Sequence, residues 1–181
     1  MDYLEKFLVR GNTIKIYQDE YPENPREWDN LGTMICFHSR YMLGDKHDLS
    51  IEALKELVSR RDILALPLYL LDHSGLALNT SGFAYIDPQG WDWDQVGYLY
   101  VTHEKLRQEY GVKKVSRRLL EKVKQILEAE IETYNQYLSG DVYGYEIEDP
   151  YDNKGDSCWG FYGLEAVREA AREAVEYEQF I

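Results

Sequence analysis

The sequence predicts an α+β fold in a single domain, residues 1–181, built on a largely antiparallel sheet. A chain of 181 residues has the length of one domain with a substantial core. Its content of 44% hydrophobic and 14% aromatic residues is too high for a disordered acidic polypeptide. Segments with strand periodicity outnumber those with helix periodicity, and the two kinds mix without a strict strand–helix–strand rhythm.

The first part of the chain is predicted to contain most of the strands. The segments with alternating or continuous apolar residues are Thr13–Tyr17, Thr33–Tyr41, Ile63–Leu71, Leu76–Ile86 and Gln95–Val101. Pro67 requires a sheet edge or a bulge, because proline cannot donate a ladder hydrogen bond. Residues 18–30 contain two prolines and five acids, and are expected to form an exposed acidic loop. A second loop, with two tryptophans, is expected over residues 87–94.

Two short helices are predicted from their caps. Ser50 precedes a helix that ends near Arg61 and whose apolar stripe should face the core. The stripe comprises Ile51, Leu54, Leu57 and Val58. Thr102 caps a second helix that runs to Tyr110 and is closed by Gly111.

The last third of the chain is predicted to contain the longest helix, a strand pair and a terminal helix. Apolar residues recur every three or four positions over residues 116–138, and Gly140 follows them as a helix terminator. Val142–Ile147 and Ser157–Tyr162 are predicted to pair as strands. A C-terminal helix is predicted over about residues 164–178.

The formal net charge of −13 is concentrated in the last quarter of the chain. From Asp141 to Glu178 there are eleven acidic residues against Lys154, Arg168 and Arg172, a net charge of −8. Such a chain repels nucleic acid and anionic lipid, and attracts basic surfaces, including those of proteins that bind nucleic acid. Composition alone is equally compatible with acids that only maintain solubility.

Several classes of function find no support in the sequence. Cys36 and Cys158 are far apart and form no CxxC motif, so a disulfide framework or a cysteine zinc site is not expected. The four histidines form no metal-binding motif, and no glycine-rich phosphate loop is present. No secretion signal or long apolar segment is found, so a cytoplasmic location is expected. We expect no cofactor, no metal and no enzymatic activity.

Asp72, His73 and Ser74 are of the residue types found in catalytic triads, but neighbours in sequence rarely converge on one proton-transfer path. A turn is the expected structure for this triplet. A metal-dependent hydrolase or nuclease that uses Asp72, His73 and Glu20 is the less favoured alternative.

The acidic and aromatic segment between residues 141 and 163 is the candidate partner-binding surface, together with the terminal helix. Glu173, Glu176 and Glu178 fall in the last turns of that helix, where the macrodipole disfavours negative charge. Glu165 and Glu169 precede Glu173 at four-residue spacing, which aligns carboxylates as along a phosphate backbone. Fraying of the final helix is the alternative explanation. The candidate partner-binding residues are Asp141, Tyr143, Tyr145, Glu146, Glu148, Asp149, Tyr151, Asp152, Asp156, Glu165, Glu169 and Glu173.

A basic stretch precedes this acidic end of the chain. Between Lys105 and Lys124 there are eight basic residues against two acids. A solvated helix face would have the same composition, but such a stretch can also contact a nucleic-acid backbone. The candidate nucleic-acid contacts are Lys113, Lys114, Arg117 and Arg118. Trp91, Trp93 and Trp159, which lie in or beside turns, are either interface anchors or covers for the sheet.

Six segments resemble a small protein family of phages and mobile elements in gut bacteria, the phage anti-CRISPR proteins that inhibit type II-A Cas9. The resemblance covers nearly the whole chain. It is carried by Asp29–Met34, Ala65–Tyr69 with Asp72–Gly75, Gln95–Val101, Gly140–Tyr145 and Asp156–Tyr162.

The resemblance implies a phage-encoded inhibitor that binds the Cas9–guide RNA complex stoichiometrically in the host cell and blocks target DNA binding or cleavage. It assigns no residue a catalytic role. An acidic, aromatic surface would suit the positively charged channel of Cas9. The alternative of the same physical kind is an antirestriction protein that mimics DNA.

Overall fold

The computed structural model describes residues 2–151 and 153–177, which form an α+β fold with antiparallel sheets, as predicted. Within those residues there are four α-helices and two four-stranded sheets. In chain order the elements are β1 (Glu5–Val9), β2 (Asn12–Gln18), β3 (Thr33–Cys36), α1 (Ile51–Val58), β4 (Ile63–Asp72), β5 (Leu76–Asn79), β6 (Trp93–Thr102), α2 (His103–Tyr110), α3 (Arg117–Ser139), β7 (Val142–Glu148), β8 (Lys154–Tyr162) and α4 (Leu164–Tyr177). A short 3-10 turn covers Pro25–Glu27.

The chain divides into two compact units. We call residues 1–24 with 136–181 the terminal unit, and residues 25–135 the central unit. The sequence did not indicate that the strands would be shared between two sheets, and the expectation of a single domain stays a prediction.

The terminal unit is an antiparallel sheet with strand order β1-β2-β7-β8 and α4 packed on one face. Alternation in β2 buries Ile14 and Ile16 completely. Val167, Ala171 and Val175 recur every four residues on α4 and are also completely buried, so this face of the helix packs on the sheet. Strand β1 was not predicted. It is only five residues long, and its sequence, Glu-Lys-Phe-Leu-Val, does not alternate apolar and polar residues.

The central unit contains the second sheet, with strand order β3-β6-β4-β5. Its core includes Leu68, Leu99 and Leu106, all completely buried. Residues 117–135 of α3 belong to this unit, and the buried side chains of that segment follow the predicted helical spacing. They are Val123, Leu127, Ile131 and Tyr134.

Most predicted helix boundaries are confirmed. The Ser50 side chain accepts a hydrogen bond from Ala53 N–H, and the Thr102 side chain accepts one from Lys105 N–H. Gly111 adopts φ 62°, the left-handed conformation that closes α2. Helix α3 begins and ends within one residue of the prediction. The predicted end of α4 at Glu178 lies outside the described residues.

Three strand or helix predictions were too long. The strand predicted over 76–86 ends at Asn79, because the Asn79 side chain bonds to the backbone of Ser81 and Gly82 and turns the chain. β3 ends at Cys36, before a turn. Helix α1 ends at Val58.

The apolar stripe of α1 was also only partly right. Leu54 is buried, but Ile51 is 46% exposed at the first position of the helix and does not face the core. Pro67 behaves as predicted: β4 pairs with β5 only from Tyr69 onward, and a register shift follows Leu68.

The expectation that residues 18–30 are wholly exposed is wrong at Arg26, which is only 9% exposed. Its guanidinium donates to Asp45 at 2.8 and 3.0 Å, to Glu130 at 3.1 Å and to the Gly32 carbonyl at 2.8 Å. Burial of a charge is tolerated here because two carboxylates and a carbonyl surround it. The sequence of residues 18–30 does not indicate that Arg26 pairs with Asp45 and Glu130.

Candidate partner-binding surface

The described candidate residues between Asp141 and Asp156 lie on or directly beside a hairpin formed by β7 and β8. β8 carries one extra residue at each of two register shifts, near Gly160 and near Gly155. Gly160 has φ 83°, which only glycine adopts without strain. Lys154 to Gly160 are all exposed. The hairpin therefore displays β8, and its irregular register limits pairing with another chain along this edge.

Tyr145 is not part of the exposed surface, which corrects the sequence-based assignment. The side chain is 4% exposed and lies in the core with Ile14, Ile16 and Val167. Its ring lies 5.7 Å from that of Phe161, and its hydroxyl reaches Asp156 at 3.4 Å. Burial follows because β7 places Tyr145 and Ile147 on the same face, against α4.

The opposite face of the hairpin carries Glu146 and Glu148, and both have partners from β2. Lys15 Nζ donates to Glu148 at 2.5 Å, and this hydrogen bond raises the pKa of Lys15. The two side chains are 19% and 16% exposed, so Glu148 contributes little net charge to the surface. Glu146 accepts a hydrogen bond from Tyr17 at 3.3 Å.

Trp159 lies beside these acids and is 42% exposed. Its ring lies 6.0 Å from that of Tyr17. It also covers Gly144, where a Cβ atom would lie 2.3 Å from the indole. Trp159 is therefore both a cover for the sheet and a half-exposed aromatic surface.

The turn between β7 and β8 is organised by Asp149. Its carboxylate accepts hydrogen bonds from the N–H groups of Tyr151 and Asn153, each at 2.8 Å, and from the Asn153 amide at 2.8 Å. The Asn153 side chain, followed by the backbone N–H groups, lowers the pKa of Asp149. Asp149 thus holds the turn, and Tyr151 projects from it with 85% exposure. Asp152 lies outside the described residues.

At the other end of the hairpin, Asp141 and Tyr143 are both half-buried. Burial, and secondarily the hydrogen bond with Asp141, raises the pKa of Tyr143. Both backbone groups of Asp141 form hydrogen bonds: its N–H donates to the Gln136 carbonyl at 2.8 Å, and its carbonyl accepts from Gly163 N–H at 2.9 Å. The backbone hydrogen bonds of Asp141 therefore fix this end of the hairpin.

The three candidate acids of α4 are all exposed. Glu165, Glu169 and Glu173 lie along one side of the helix, at the edge of an open cleft that Arg172 and Glu176 also line. Arg168 interrupts this row. Its guanidinium pairs with Glu165 and with Glu5, and the bond to Arg168 lowers the pKa of Glu5.

Other cations near the acids of α4 are also engaged. Arg10 pairs with Glu176 at 3.3 Å, and the Arg172 guanidinium lies 5.5 Å from the Phe7 ring. Among residues 2–151 and 153–177, Glu169 and Glu173 form no ion pair. No ion pair within the described residues therefore compensates the charge of these two carboxylates.

The four candidate nucleic-acid contacts are exposed and belong to the central unit. Lys113 and Lys114 lie in the connection between α2 and α3, and Arg117 and Arg118 open α3. Arg117 pairs with Glu121 at 3.4 Å, and its side chain is 94% exposed. Ser116, just before Arg117, accepts a hydrogen bond from Leu119 N–H and caps the start of α3.

The chain bends at His73 and Ser74, as expected, and Asp72 is the last residue of β4. Its carboxylate pairs with Arg40 and accepts a hydrogen bond from Tyr41 at 3.4 Å. His73 pairs instead with Asp92, at 2.9 Å. The part of the chain that the structure describes contains no group of three or more His, Cys, Asp or Glu side chains that could hold a metal ion.

In the same described ranges, no helix combines the length and the apolar character needed to cross a membrane. Comparison with known proteins finds no matching family model, no matching curated protein and no matching solved structure.

Proposed function

We propose that this chain is a phage-encoded inhibitor that binds the Cas9–guide RNA complex stoichiometrically in the host cell and blocks target DNA binding or cleavage. The contact is made by the acids and aromatics of the terminal unit, without turnover of a substrate. The identity of the partner rests on the family resemblance, and the chemistry of the partner rests on the surface.

The observation that carries the proposal is the charge of the terminal unit. Its 70 residues hold sixteen acids against six basic residues, a net charge of −10 out of −13 for the chain. The central unit, with seventeen acids against fourteen basic residues, is close to neutral for its size. This uneven distribution of charge would orient the terminal unit toward a positively charged groove of the partner and increase the rate of association.

The exposed carboxylates and aromatic rings supply the two components that such an interface needs. Glu169 and Glu173 are available to Lys or Arg side chains of the partner. Tyr151 and Trp159 provide apolar area with a polar tip, which is typical of interface anchors. Cas9 holds its guide–target duplex in a positively charged channel and reads the PAM with arginines, so it offers matching groups.

The placement of Glu173 also favours a role in binding over a role in stability. It lies near the C-terminal end of α4, as described, where the helix dipole disfavours negative charge. No basic residue lies in the last turn of α4 to compensate for it.

The test is gel filtration of guide-loaded Cas9 with the full chain, with and without target DNA, followed by a cleavage assay. The double variant Glu169→Lys/Glu173→Lys should abolish co-elution and inhibition. Reversal of Glu148 and Asp149 is unsuitable, because these residues hold β2 and the hairpin turn. The matched control is Glu52→Lys/Glu56→Lys, which makes the same charge change on exposed positions of α1.

Binding should weaken as ionic strength rises, because the attraction is between exposed charges. Full inhibition by the Glu169→Lys/Glu173→Lys variant, or complex formation that is indifferent to salt, would contradict the proposed surface. Absence of any complex between the wild-type chain and type II-A Cas9 would contradict the proposed partner.

One geometric feature also favours an antirestriction DNA mimic. Glu165, Glu169 and Glu173 follow one another at four-residue spacing, about 6 Å along the helix, comparable to the spacing of phosphates along a DNA strand. A mimic of this type would compete with DNA for a restriction enzyme and leave Cas9 active. Competition assays with the two enzymes separate these functions. A hydrolase would instead lose a measurable activity with EDTA or on His73→Ala.

A further inference from the structure

An open cleft of about 450 Å³ in the central unit lies outside the surface proposed above. It is formed by the end of β4, the start of β6, the loop before β6 and the segment that follows β3. The polar and aromatic side chains that line it are His38, Arg40, Asp72, Trp91, Asp92 and Asp94.

The charged side chains that line this cleft are three carboxylates, Asp72, Asp92 and Asp94, and one guanidinium, that of Arg40. Arg40 pairs with Asp72, and His73 Nδ1 lies 2.9 Å from an Asp92 carboxylate oxygen. The Arg40 side chain is 67% exposed, and its guanidinium retains N–H groups for another acceptor. The cleft therefore presents fixed donors and acceptors side by side, and its excess of carboxylates repels anions.

His38 supplies a donor of defined direction. Its Nδ1 accepts hydrogen bonds from the N–H groups of Arg40 and Tyr41, each at 3.2 Å. An Nδ1 that accepts leaves the neutral ring protonated at Nε2. The ring is held in place by stacking on Tyr41, at a centroid distance of 5.0 Å. The Nε2–H group is thus positioned before any ligand arrives.

The loop that carries Trp91 is held rigid by Asp87. The Asp87 carboxylate accepts hydrogen bonds from the N–H groups of Gln89, Trp91 and Asp92 at 3.1, 2.5 and 2.9 Å. Trp93 Nε1 donates to the Asp87 carbonyl at 2.9 Å. Trp91 nevertheless remains 83% exposed. An ordered loop that leaves a large indole in water indicates preorganisation for a ligand, since packing does not explain it.

We infer that this cleft binds a neutral saccharide. The C–H face of a sugar ring stacks on the Trp91 indole, and its hydroxyls, which both donate and accept, bond to the carboxylates, to Arg40 and to His38. A phosphate or carboxylate ligand would be repelled by Asp92 and Asp94. The inference concerns the central unit only and does not depend on the proposed Cas9 partner.

The test uses the full chain on an array of neutral oligosaccharides, followed by titration of the strongest binder in solution. The probe is the set of indole N–H resonances, assigned with Trp→Phe variants. We expect the Trp91 resonance to shift on saturation. Trp91→Ala should weaken binding on the order of tenfold or more without changing the melting temperature, because this side chain is exposed.

The matched control is Trp159→Ala, which removes the half-exposed indole of the terminal unit and should leave saccharide affinity unchanged. Failure of every neutral oligosaccharide on the array to bind overturns the inference. It is equally overturned if binding survives Trp91→Ala, or if anionic or arginine-containing peptides shift Trp91 and the saccharides do not.

Discussion

At the scale of single residues, identical side chains have different chemistry because burial differs. Cys36 is 7% exposed, and burial raises the pKa of its thiol to about 12. Cys158 lies on the exposed strand β8. Because the thiolate is the reactive form, Cys36 is unreactive for two reasons: reagents have little access to it, and its thiol stays protonated.

We therefore expect the native protein to react with one equivalent of a thiol reagent such as DTNB at pH 8. The Cys158→Ala variant should release no chromophore until denaturant is added, after which Cys36 reacts. Two equivalents from the native wild-type protein would show that Cys36 is accessible.

Arg26 is the residue whose loss should cost the central unit most. Substitution by Met would leave Asp45 and Glu130 without their shared cation, and an uncompensated buried charge costs about 3–5 kcal/mol. Urea unfolding of Arg26→Met should show a loss of this size. The control Arg60→Met removes an exposed pair with Asp62 and should change stability little. Similar unfolding midpoints for the two variants would refute the role of Arg26.

At the scale of elements, a side chain completes the edge of the second sheet. Asn135 on α3 donates to the Leu78 carbonyl and accepts from Leu78 N–H, both at 2.6 Å, as the backbone of a neighbouring strand would. β5 is only four residues long, and this contact protects its outer edge.

Replacement of Asn135 by Ala should cost about 1–3 kcal/mol, because two backbone groups of Leu78 lose their partners. Amide hydrogen exchange at Leu78 should accelerate as well. Asn135→Asp keeps an acceptor for Leu78 N–H, so exchange at that amide should stay slower than in the Ala variant. Equal exchange rates in all three proteins would show that the contact does not form in solution.

The two ends of α4 should respond oppositely to the same substitution. Glu165 lies in the first turn, where its negative charge interacts favourably with the helix dipole, and it pairs with Arg168. Glu165→Gln should therefore lower the melting temperature. Glu173 lies near the opposite end, so Glu173→Gln should increase the free energy of unfolding by roughly 0.3–1 kcal/mol at low salt and raise the melting temperature slightly. Melts at two ionic strengths check this, since both effects should shrink with salt. A lower melting temperature for Glu173→Gln would refute the dipole argument.

At the scale of the whole molecule, stability should fall in acid. The pKa values of Glu5, Asp62, Asp87 and Asp149 are all lowered in the folded state, through bonds to arginine, to asparagine or to backbone N–H groups. A lowered pKa stabilises the fold above the unfolded value, near 4, and this contribution is lost as pH falls through the folded value.

Urea unfolding between pH 7 and pH 3 should therefore show a plateau down to about pH 5 and a decline below it. Asp87→Asn and Asp149→Asn should each start from a lower plateau and lose less on acidification. A wild-type stability that rises between pH 5 and pH 3 would contradict the sign.

The sequence by itself determined the fold class, the helix caps, the span of the longest helix and, to within one residue, the span of β7, whereas β8 begins at Lys154, three residues before its predicted start. These features depend on contacts within a few residues: a Ser or Thr side chain before a helix, a glycine after it, and a three- or four-residue apolar repeat. Helical spacing alone also placed Glu165, Glu169 and Glu173 on one side of α4, although their role as partner contacts stays a prediction.

Only the tertiary structure decided which acids and aromatics reach the surface. Tyr145 is buried because α4 covers its face of the sheet, and Glu148 is compensated by Lys15, which is 133 residues away in sequence. Arg26 is buried by Asp45 and Glu130, far from its loop. Strand pairing and helix docking bring such partners together, and no local pattern of residue types encodes which distant segment will pair with which.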